Sequence, residues 1–325
     1  MSIHWPILRR LATSPKRVML IDDNRSYRGI DLLVASLHVA AEIERRSDAP
    51  VVATLFPSSG AFPICALASW MLGRAVVPLN FFLTPDELQY VIDDCGTDVV
   101  LTAGPMLEHM GYEPETPNLL KVEELNFKSM PTLRWPKSAG EDDLAAMLYT
   151  SGTSGKPKGV KLTHGNVGSN VNQVIEAFHF TERSSLLGVL PQFHSFGFTV
   201  LTVLPLTLGM RTVYSARFVP QRVVRAFREH QPSLFVGIPS MYNALLQVKD
   251  ATAEDFTSFE ALVSGGEPLP RDVADRFGDR FGREIWEGYG LTETSPVTHV
   301  NRVGLVKRGS VGKPIPRVEQ RIVDL

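Results

Sequence analysis

The chain has 325 residues, 44% of them hydrophobic, and a formal charge of −2 from 33 Lys and Arg against 35 Asp and Glu. This length and composition predict a globular protein whose large core is divided between two packed layers or subdomains. Because there is no long basic run, nucleic acid is not an implied partner, and small-molecule chemistry is favoured.

The cysteines and the N-terminal segment indicate where the protein acts. Cys65 and Cys95 each lie in an apolar run typical of a buried helix, without a metal-ligand spacing to a histidine. Residues 1–17 contain arginines but lack the apolar stretch of a secretory signal. We therefore predict reduced core cysteines in a cytoplasmic protein.

From residue 18 onward, short apolar runs alternate with segments of helical periodicity. In the first part of the chain we predict strands at 18–21, 51–56, 75–79 and 98–102 and helices at 30–45 and 61–72. A further helix begins after Thr84, where TPDE is a capping box with Pro at the first helical position, and ends at Gly96. This alternation predicts parallel sheet with crossover helices on its faces.

The proline-containing region 104–141 breaks the alternation, and we interpret it as an irregular connection between two sheet-forming halves. Beyond it, the sequence predicts strands at 144–149, 186–190, 212–214, 234–238, 261–263 and 284–287. Helices are expected at about 164–178, 198–208, 219–230, 240–248 and 270–281. The alternating run 318–323 predicts the start of an antiparallel β unit.

The stretch 186–210, which contains no Asp, Glu, Lys or Arg, is long enough on length alone to span a bilayer. Pro191, Gly197 and Pro205 interrupt it, and it also carries Gln192 and His194. A buried strand, a polar turn and a buried helix therefore fit this stretch better than a transmembrane helix.

The segment 149–160 reads YTSGTSGKPKGV and places four Ser or Thr hydroxyls, three glycines and two lysines in twelve residues. Glycines allow a close backbone approach to an anion, hydroxyls donate hydrogen bonds, and Lys156 and Lys158 supply positive charge. The spacing is not that of a P-loop, because Gly152 and Gly155 are too close and Pro157 replaces the metal-binding hydroxyl. The segment predicts a polyphosphate-binding loop of another design, and the alternative is a flexible surface loop.

Three further motifs carry groups suited to a nucleotide site. WEGYGLTET, residues 286–294, offers an aromatic face for a base, a hydroxyl for phosphate at Thr292 and a carboxylate for Mg²⁺ at Glu293. SGGEPL, residues 264–269, follows a predicted strand, where ligands bind in open parallel sheets. PQFHSFG, residues 191–197, places His194 among aromatics. Taken singly, these motifs also fit a strand-end turn and a hydrogen-bonded core histidine.

Together with GSVGKP at 309–314, these motifs resemble the adenylate-forming superfamily in order and approximate separation. That superfamily includes acyl-CoA synthetases, luciferases and peptide-synthetase adenylation domains. The FHSFG stretch is most similar to fatty acyl-CoA and acyl-carrier-protein synthetases. The resemblance covers nearly the whole chain and implies an α/β fold of two parallel-sheet subdomains packed in layers, followed by the start of a small β-barrel-like unit. Its approximate divisions would be 1–135, 136–300 and 301–325.

The resemblance implies a two-step reaction, in which ATP and a carboxylate give acyl-AMP and pyrophosphate and a thiol then displaces AMP. The thiol would belong to CoA or to the phosphopantetheine of an acyl carrier protein. Catalytic roles carry over to His194, Thr292 and Glu293, with Glu293 as the Mg²⁺ ligand. ATP would be bound by Thr150, Ser151, Gly152, Thr153, Ser154, Gly155, Lys156, Gly265, Gly266, Glu267, Gly288, Tyr289, Gly290 and Thr292.

The acid is expected to be a medium- or long-chain fatty acid. Amino-acid-activating relatives pair the substrate ammonium with an acidic residue in the turn corresponding to 191–197, and this chain has none between 186 and 210. The acyl tail would lie against Phe193, His194, Phe196, Phe198, Leu201, Val236, Ile238, Met241 and Gly265. These residues also fit a plain core, and aryl or short-chain acids stay an alternative substrate class.

The chain departs from the superfamily after Leu325, where the Tyr-x-Thr-Gly-Asp segment, the hinge and the C-terminal lid domain with the catalytic lysine would follow. We therefore expect a fragment of a longer ligase, or an unusual architecture, with weak or no activity by itself. The alternative of another class is a non-catalytic nucleotide- or acyl-binding module. The intact Thr292 and Glu293 pair speaks against that alternative, because a binding module needs no magnesium ligand.

Overall fold

Apolar strands and amphipathic helices alternate along the chain, and a computed structural model, which describes residues 2–151, 155–302 and 304–323, folds them into two sheets. The first group of strands comprises β1 (Val18–Ile21), β2 (Ser26–Arg28), β3 (Val51–Leu55), β4 (Ala75–Pro78), β5 (Val99–Thr102), β6 (Asn118–Lys121), β7 (Leu144–Thr150) and β8 (Lys158–Thr163). The second comprises β9 (Ser185–Gly188), β10 (Arg211–Tyr214), β11 (Leu234–Gly237), β12 (Ala261–Ser264), β13 (Trp286–Gly290), β14 (Val297–Val300) and β15 (Lys313–Pro314).

The helices lie on the faces of these sheets. They are α1 (His4–Thr13), α2 (Gly29–Arg46), α3 (Ala61–Met71), α4 (Pro85–Cys95), α5 (Gly104–Met110), α6 (His164–Phe178), α7 (Ser195–Phe198), α8 (Leu204–Leu208), α9 (Pro220–His230), α10 (Pro239–Leu245) and α11 (Arg271–Phe281). A π-helical turn, Thr199–Val203, joins α7 to α8, and 3₁₀ turns occur at Val122–Glu124, Ala253–Phe256 and Thr292–Thr294.

The larger sheet has the strand order β15-β14-β13-β12-β11-β9-β10-β1-β2, and the smaller has β6-β5-β3-β4-β7-β8. Strands β1 and β9 to β13 are mutually parallel, as are β3 to β7, while β2, β8, β14 and β15 pair antiparallel at the edges. The predicted α/β class and the mainly parallel sheets are therefore confirmed.

Three apolar clusters hold the layers together. One lies between the two sheets around α2, α3 and α6, a second packs α9, α10 and α11 on the outer face of the larger sheet, and the third packs α4 and α5 on the smaller sheet. The expectation of subdomains packed in layers is confirmed by this arrangement. Within the described residues, no helix is both long enough and apolar enough to cross a membrane.

Local signals explain the best-predicted boundaries. The Thr84 hydroxyl accepts a hydrogen bond from the Glu87 backbone N–H, and the Glu87 carboxylate accepts one from the Thr84 N–H, so both ends of the capping box are satisfied. Gly96 ends α4 in the left-handed conformation, at φ 69°, which glycine adopts without steric cost.

Two predictions were wrong: that region 104–141 is irregular, and that an antiparallel β unit begins with a strand at 318–323. The region 104–141 contains α5, β6 and a 3₁₀ turn, because Pro105 occupies the first turn of α5, where its missing N–H is tolerated. The run 318–323 forms no strand. Instead β14 pairs with β15, so the start of the predicted antiparallel unit lies earlier in the chain, and no closed barrel forms in the described ranges.

The sheets do not follow the expected division near residue 135. Strands β1 and β2 precede that point but lie in the larger sheet, whereas β7 and β8 follow it and lie in the smaller. Each sheet therefore combines segments from both parts of the chain.

Candidate functional site

The loops that follow β9, β11, β12 and β13 meet at the carboxyl edge of the larger sheet, where parallel sheets bind ligands. Between them lies a cavity of about 550 Å³, which we call the first cavity. Its wall also includes Thr150, at the end of β7, so the smaller sheet contributes to the same site.

Most of the predicted nucleotide residues line this cavity. Together the structure brings Thr150, Gly265, Gly266, Glu267, Gly288, Tyr289, Gly290, Thr292 and Glu293 onto its wall, with His194 beside them. The four predicted motifs therefore converge on one space, although Thr150 and Glu293 are 143 residues apart in sequence.

Two glycines on this wall are closely packed, and at Gly290 the neighbouring backbone requires glycine. A Cβ on Gly265 would lie 2.9 Å from the Phe196 ring, and one on Gly290 would lie 1.8 Å from the Pro296 carbonyl oxygen. The first contact involves a side chain that can shift, whereas the second involves backbone. The absence of side chains here keeps the end of β12 and the turn after β13 close to the cavity.

The predicted loop after β7 can be compared with the first cavity only in part. Gly152, Thr153 and Ser154 lie outside the described residues. Of the other four predicted loop residues, only Thr150 lines the first cavity; Ser151, Gly155 and Lys156 do not. The Lys156 ammonium lies 5.0 Å from the centre of the Tyr90 ring, so a cation–π contact holds it against α4 rather than over the cavity.

His194 opens onto the first cavity from the turn between β9 and α7. Its side chain is exposed to the cavities, its ring packs against Phe193 with centroids 4.5 Å apart, and desolvation by the neighbouring protein lowers the pKa of the imidazole. The ring is therefore neutral at pH 7, and one of its nitrogens can donate a hydrogen bond without adding positive charge.

The turn that carries His194 is anchored to the smaller-sheet side of the molecule. The buried Gln192 side chain accepts a hydrogen bond from the Ser59 N–H at 3.0 Å and donates one to the Thr202 hydroxyl at 3.1 Å. Ser58 donates to the Leu190 carbonyl at 2.9 Å. These contacts fix the backbone of the turn that carries His194.

Only part of the predicted acyl wall lines the first cavity. Phe196, Val236, Ile238 and Gly265 line the first cavity. Phe198 and Leu201 do not; both are fully buried, and the Phe198 ring packs against Phe62 and Trp70, so these two are core residues. Phe193 lies behind His194, with its ring centroid 5.1 Å from that of Phe81.

Sequence reasoning missed one hydroxyl and a set of apolar residues on the wall of the first cavity. These apolar residues are Val174, Phe178, Phe180, Val200, Leu234, Val263, Val297 and Val300. The missed hydroxyl belongs to Ser195, next to His194 in a motif that was singled out for its histidine and aromatics. Helical periodicity predicted the apolar face of α6, but it did not predict which part of the fold that face contacts.

A second cavity, of about 1340 Å³, also has His194 on its wall. It shares Leu190, Pro191, His194 and Ile238 with the first cavity. Met241, predicted in the acyl wall, lines this second cavity instead. Its wall is mainly apolar, with Phe81 and Phe82 near His194, and its charged residues include Arg25, Arg28 and Arg217.

The residues present fit a magnesium ion held jointly with a phosphate ligand. Among residues 2–151, 155–302 and 304–323, no group of three or more His, Cys, Asp or Glu is arranged to hold a metal without other ligands. Mg²⁺ usually takes one or two carboxylates together with waters and substrate phosphates. The exposed carboxylate of Glu293, on the cavity wall beside Thr292, fits that donor set.

Comparison with known proteins finds a matching family model and relatives that are CoA ligases. A family model described as AMP-binding enzyme matches residues 7–325. The chain is 36% identical to a long-chain-fatty-acid–CoA ligase of Bacillus subtilis, with 90% of this chain and 60% of the relative aligned. It is 29% identical to the human mitochondrial malonate–CoA ligase ACSF3, over 98% of this chain and 60% of the relative.

Among solved structures, the apo form of MatB from Rhodopseudomonas palustris superimposes with a TM-score of 0.84 at 25% identity. That match covers 97% of this chain and 65% of the other. The chain thus spans about three fifths of the length of the curated relatives described above.

Proposed function

Because this chain belongs to the AMP-binding enzyme family, we propose that it activates a carboxylic acid with ATP. In this reaction a carboxylate oxygen attacks the α-phosphorus of ATP, and the acyl–AMP bond forms as the bond to pyrophosphate breaks. The observation that carries the proposal is the convergence of Gly266, Tyr289, Thr292, Glu293 and His194 on one cavity at the carboxyl edge of a parallel sheet.

The nucleotide end of the first cavity supports specific roles. The Tyr289 ring, 48% exposed, would stack on adenine, with Gly266 and Glu267 near the edge of the base. Thr292 would donate a hydrogen bond to the α-phosphate. Bound Mg²⁺, held by Glu293, would neutralise phosphate charge as two anions meet. The loop that begins at Thr150 would contact the β- and γ-phosphates.

His194 would lie beside the reacting carboxylate. Its lowered pKa keeps the ring neutral, so that it donates a hydrogen bond to the acid without drawing the carboxylate away from phosphorus as a full positive charge would. Its place at the junction of the two cavities supports a role at the reacting centre.

We propose a medium- or long-chain fatty acid as the substrate. The wall of the first cavity is mainly apolar, and the charged residues on its described part are Glu267 and Glu293, which we assign to the nucleotide. Each additional methylene buried there contributes about 0.8 kcal/mol, or about a fourfold gain in kcat/KM. The gain should stop at the chain length that fills the cavity.

An aryl or short-chain acid is the second candidate, and the size of the first cavity favours it. Its volume of about 550 Å³ must hold the nucleotide as well as the acid. This total lies within the range of about 300–1,000 Å³ that is usual for a single small-molecule ligand.

The second cavity supports transfer of the acyl group to a thiol. An elongated acceptor, either CoA or the phosphopantetheine of an acyl carrier protein, would enter it and reach His194. The thiolate sulfur would then attack the acyl carbonyl carbon and release AMP.

We propose a cytoplasmic location, in keeping with Cys65 and Cys95, which are buried free thiols; burial raises the pKa of Cys95 to about 11.

Pyrophosphate release with Mg·ATP, measured for a series of straight-chain acids and for benzoate, tests the proposal. We expect acid-dependent release that rises with chain length, whereas a maximum at benzoate or at the shortest acids would select the second candidate. Acyl-AMP trapped with hydroxylamine identifies the product. Binding of Mg·ATP without release by any acid would instead indicate a nucleotide-binding module.

A further inference from the structure

A pair of hydroxyl groups joins two motifs at the centre of the first cavity. The Thr292 Oγ1 atom lies 3.2 Å from the Ser195 Oγ atom, in hydrogen-bond geometry, and both residues line the cavity. Ser195 is the first residue of α7, and Thr292 begins the 3₁₀ turn after β13. Two chain segments 97 residues apart in sequence therefore meet through this contact.

Counting protons shows what the pair can offer a ligand. A hydroxyl carries one O–H donor and two acceptor lone pairs. When two hydroxyls bond to each other, one of their two protons is used between them, and the other remains for a third group. Phosphate oxygens only accept, so a phosphate placed at this wall would receive that remaining proton.

The surroundings keep both hydroxyls in place. On one side, the Phe198 N–H donates to the His194 carbonyl at 2.7 Å, and Gly197 packs too closely on the Pro191 carbonyl to allow a Cβ. On the other side, the Thr294 hydroxyl bonds to the Leu291 and Pro296 carbonyls at 2.9 and 2.6 Å. The oxygen positions are thus set by backbone that packs on each side.

A capping role does not account for Ser195. The N-cap of α7 is His194, and no side chain forms a capping hydrogen bond there. The contact of 3.2 Å is longer than the usual 2.5–3.0 Å, roughly, between hydroxyl oxygens, and such contacts shorten when a charged ligand joins them. The Ser195 hydroxyl is thus free to serve a ligand through Thr292.

We propose that Ser195 is a positioning residue, whose hydroxyl donates to the Thr292 oxygen when nucleotide is bound, so that the Thr292 proton is directed at the α-phosphate. This inference rests on the proposed function, because it requires a nucleotide phosphate in the first cavity. It adds to that function a residue from the histidine motif that acts on the phosphate side of the reaction.

Isothermal titration of the whole chain with Mg·ATP, AMP and adenosine separates this role from a general effect on the fold. In Ser195→Ala, we expect the affinity for Mg·ATP and AMP to fall about tenfold, since a hydrogen bond to a charged group is lost or misdirected. Adenosine, which has no phosphate, should bind as it does to the wild-type protein. An equal loss for adenosine, or no loss for AMP, would overturn the proposal.

A double-mutant cycle tests the coupling. Thr292→Val removes the partner hydroxyl while keeping the shape of the side chain, and we expect Ser195→Ala to cause no further loss of AMP affinity in that background. Losses that multiply in the double variant would mean that the two hydroxyls act independently, contrary to the proposal. Ser195→Thr retains a hydroxyl and should keep AMP affinity within about threefold of wild type.

A matched serine elsewhere provides the control. The Ser258 hydroxyl donates to the Pro232 carbonyl at 2.8 Å and lines none of the cavities described above. Ser258→Ala should lower the thermal unfolding midpoint by about as much as Ser195→Ala while leaving nucleotide affinity unchanged. If wild-type protein bound neither Mg·ATP nor AMP, the proposed function would fail, whereas normal binding by Ser195→Ala would overturn this inference alone.

Discussion

Glu293 lies where the wall of the first cavity meets a smaller polar recess that Thr294 and Ser295 also line. Its carboxylate is exposed, so it can reach an ion shared with a phosphate ligand. We expect Glu293→Ala to weaken Mg·ATP binding by about 10- to 100-fold, because a charged contact is lost. Binding of the carboxylic acid should change far less. Titration calorimetry with each ligand measures both effects.

The exposed Glu260, which lines none of the three cavities, is the matched control. Glu260→Ala removes the same charge and should leave Mg·ATP binding unchanged. Equal losses of nucleotide and acid affinity in Glu293→Ala would show that the metal position has been assigned to the wrong residue.

Phe196 and Phe198 are two residues apart but have different surroundings. Phe198 is fully buried against Phe62 and Trp70, whereas Phe196 is partly buried and lines the first cavity. Phe198→Ala should lower the free energy of unfolding by about 3–5 kcal/mol, because it leaves a core cavity. Phe196→Ala should cost less stability and alter which acids bind. Urea unfolding and the acid series distinguish the two; a changed acid preference in Phe198→Ala would contradict the structure.

At the scale of elements, the turn Pro191–Gly197 depends on one glycine. A Cβ on Gly197 would lie 2.0 Å from the Pro191 carbonyl oxygen, so backbone would have to move. We expect Gly197→Ala to destabilise the protein by about 2 kcal/mol or more and to displace His194. Chemical denaturation measures the first effect and nucleotide or acid binding the second.

Gly278, inside α11, supplies the opposite case. The nearest atom to a Cβ there is the Arg283 carbonyl oxygen at 3.9 Å, so alanine fits without strain. Gly278→Ala should stabilise the protein by about 0.5–1 kcal/mol, the usual advantage of alanine over glycine in a helix. If Gly197→Ala did not lower the free energy of unfolding, close packing at Gly197 would not control the stability of the protein.

Elements with strong local signals were predicted well. Helix α6 begins and ends where its periodicity indicated, and the caps of α4 formed as expected. Strand β8 was missed because the sequence of Lys158–Thr163 continues a lysine- and glycine-rich loop, and only its pairing with β7 makes it a strand. Helix α1 was missed because residues 1–17 were assessed only for a secretory signal and not for helical periodicity.

The site was predictable where a motif follows a strand, since parallel strands bring their carboxyl ends to one edge. Gly265, Gly266, Tyr289 and Thr292 were found in this way. The apolar wall formed by Phe178 and its neighbours was not, because it depends on how α6 packs on the larger sheet. For the same reason, nothing in the sequence distinguished core Phe198 from cavity-lining Phe196.

At the scale of the whole molecule, α1 is joined to α6 by two buried histidines. The rings of His4 and His164 are 5.8 Å apart, and burial is the main cause that lowers the pKa of each to about 4. The nearby His4 further lowers the pKa of His164, and Asp143 opposes this effect. Both rings are therefore neutral in the folded protein under neutral conditions.

This burial predicts acid sensitivity. In the unfolded chain the histidines have a pKa near 6.5, so between about pH 6.5 and pH 4 the unfolded state binds more protons than the folded state. The free energy of unfolding should therefore fall as the pH falls through this range, by up to about 3 kcal/mol per histidine. Urea unfolding at several pH values measures the slope.

A variant that cannot ionise identifies the source of that slope. His4→Gln should make the free energy of unfolding less dependent on pH between about 4 and 6.5. An unchanged slope in this variant would assign the acid sensitivity to other groups.

The division of each sheet between distant segments has a consequence for synthesis. Strand β1 can join the larger sheet only beside β10, where Leu20 pairs with Thr212. At about 5–20 residues per second, a ribosome takes on the order of 10–40 seconds to make the intervening chain. During that time β1 and β2 form at most an isolated hairpin, which is only marginally stable in water. The nascent N-terminal segment therefore exposes an unpaired apolar edge, and this is the stage of synthesis at which a chaperone would be needed most.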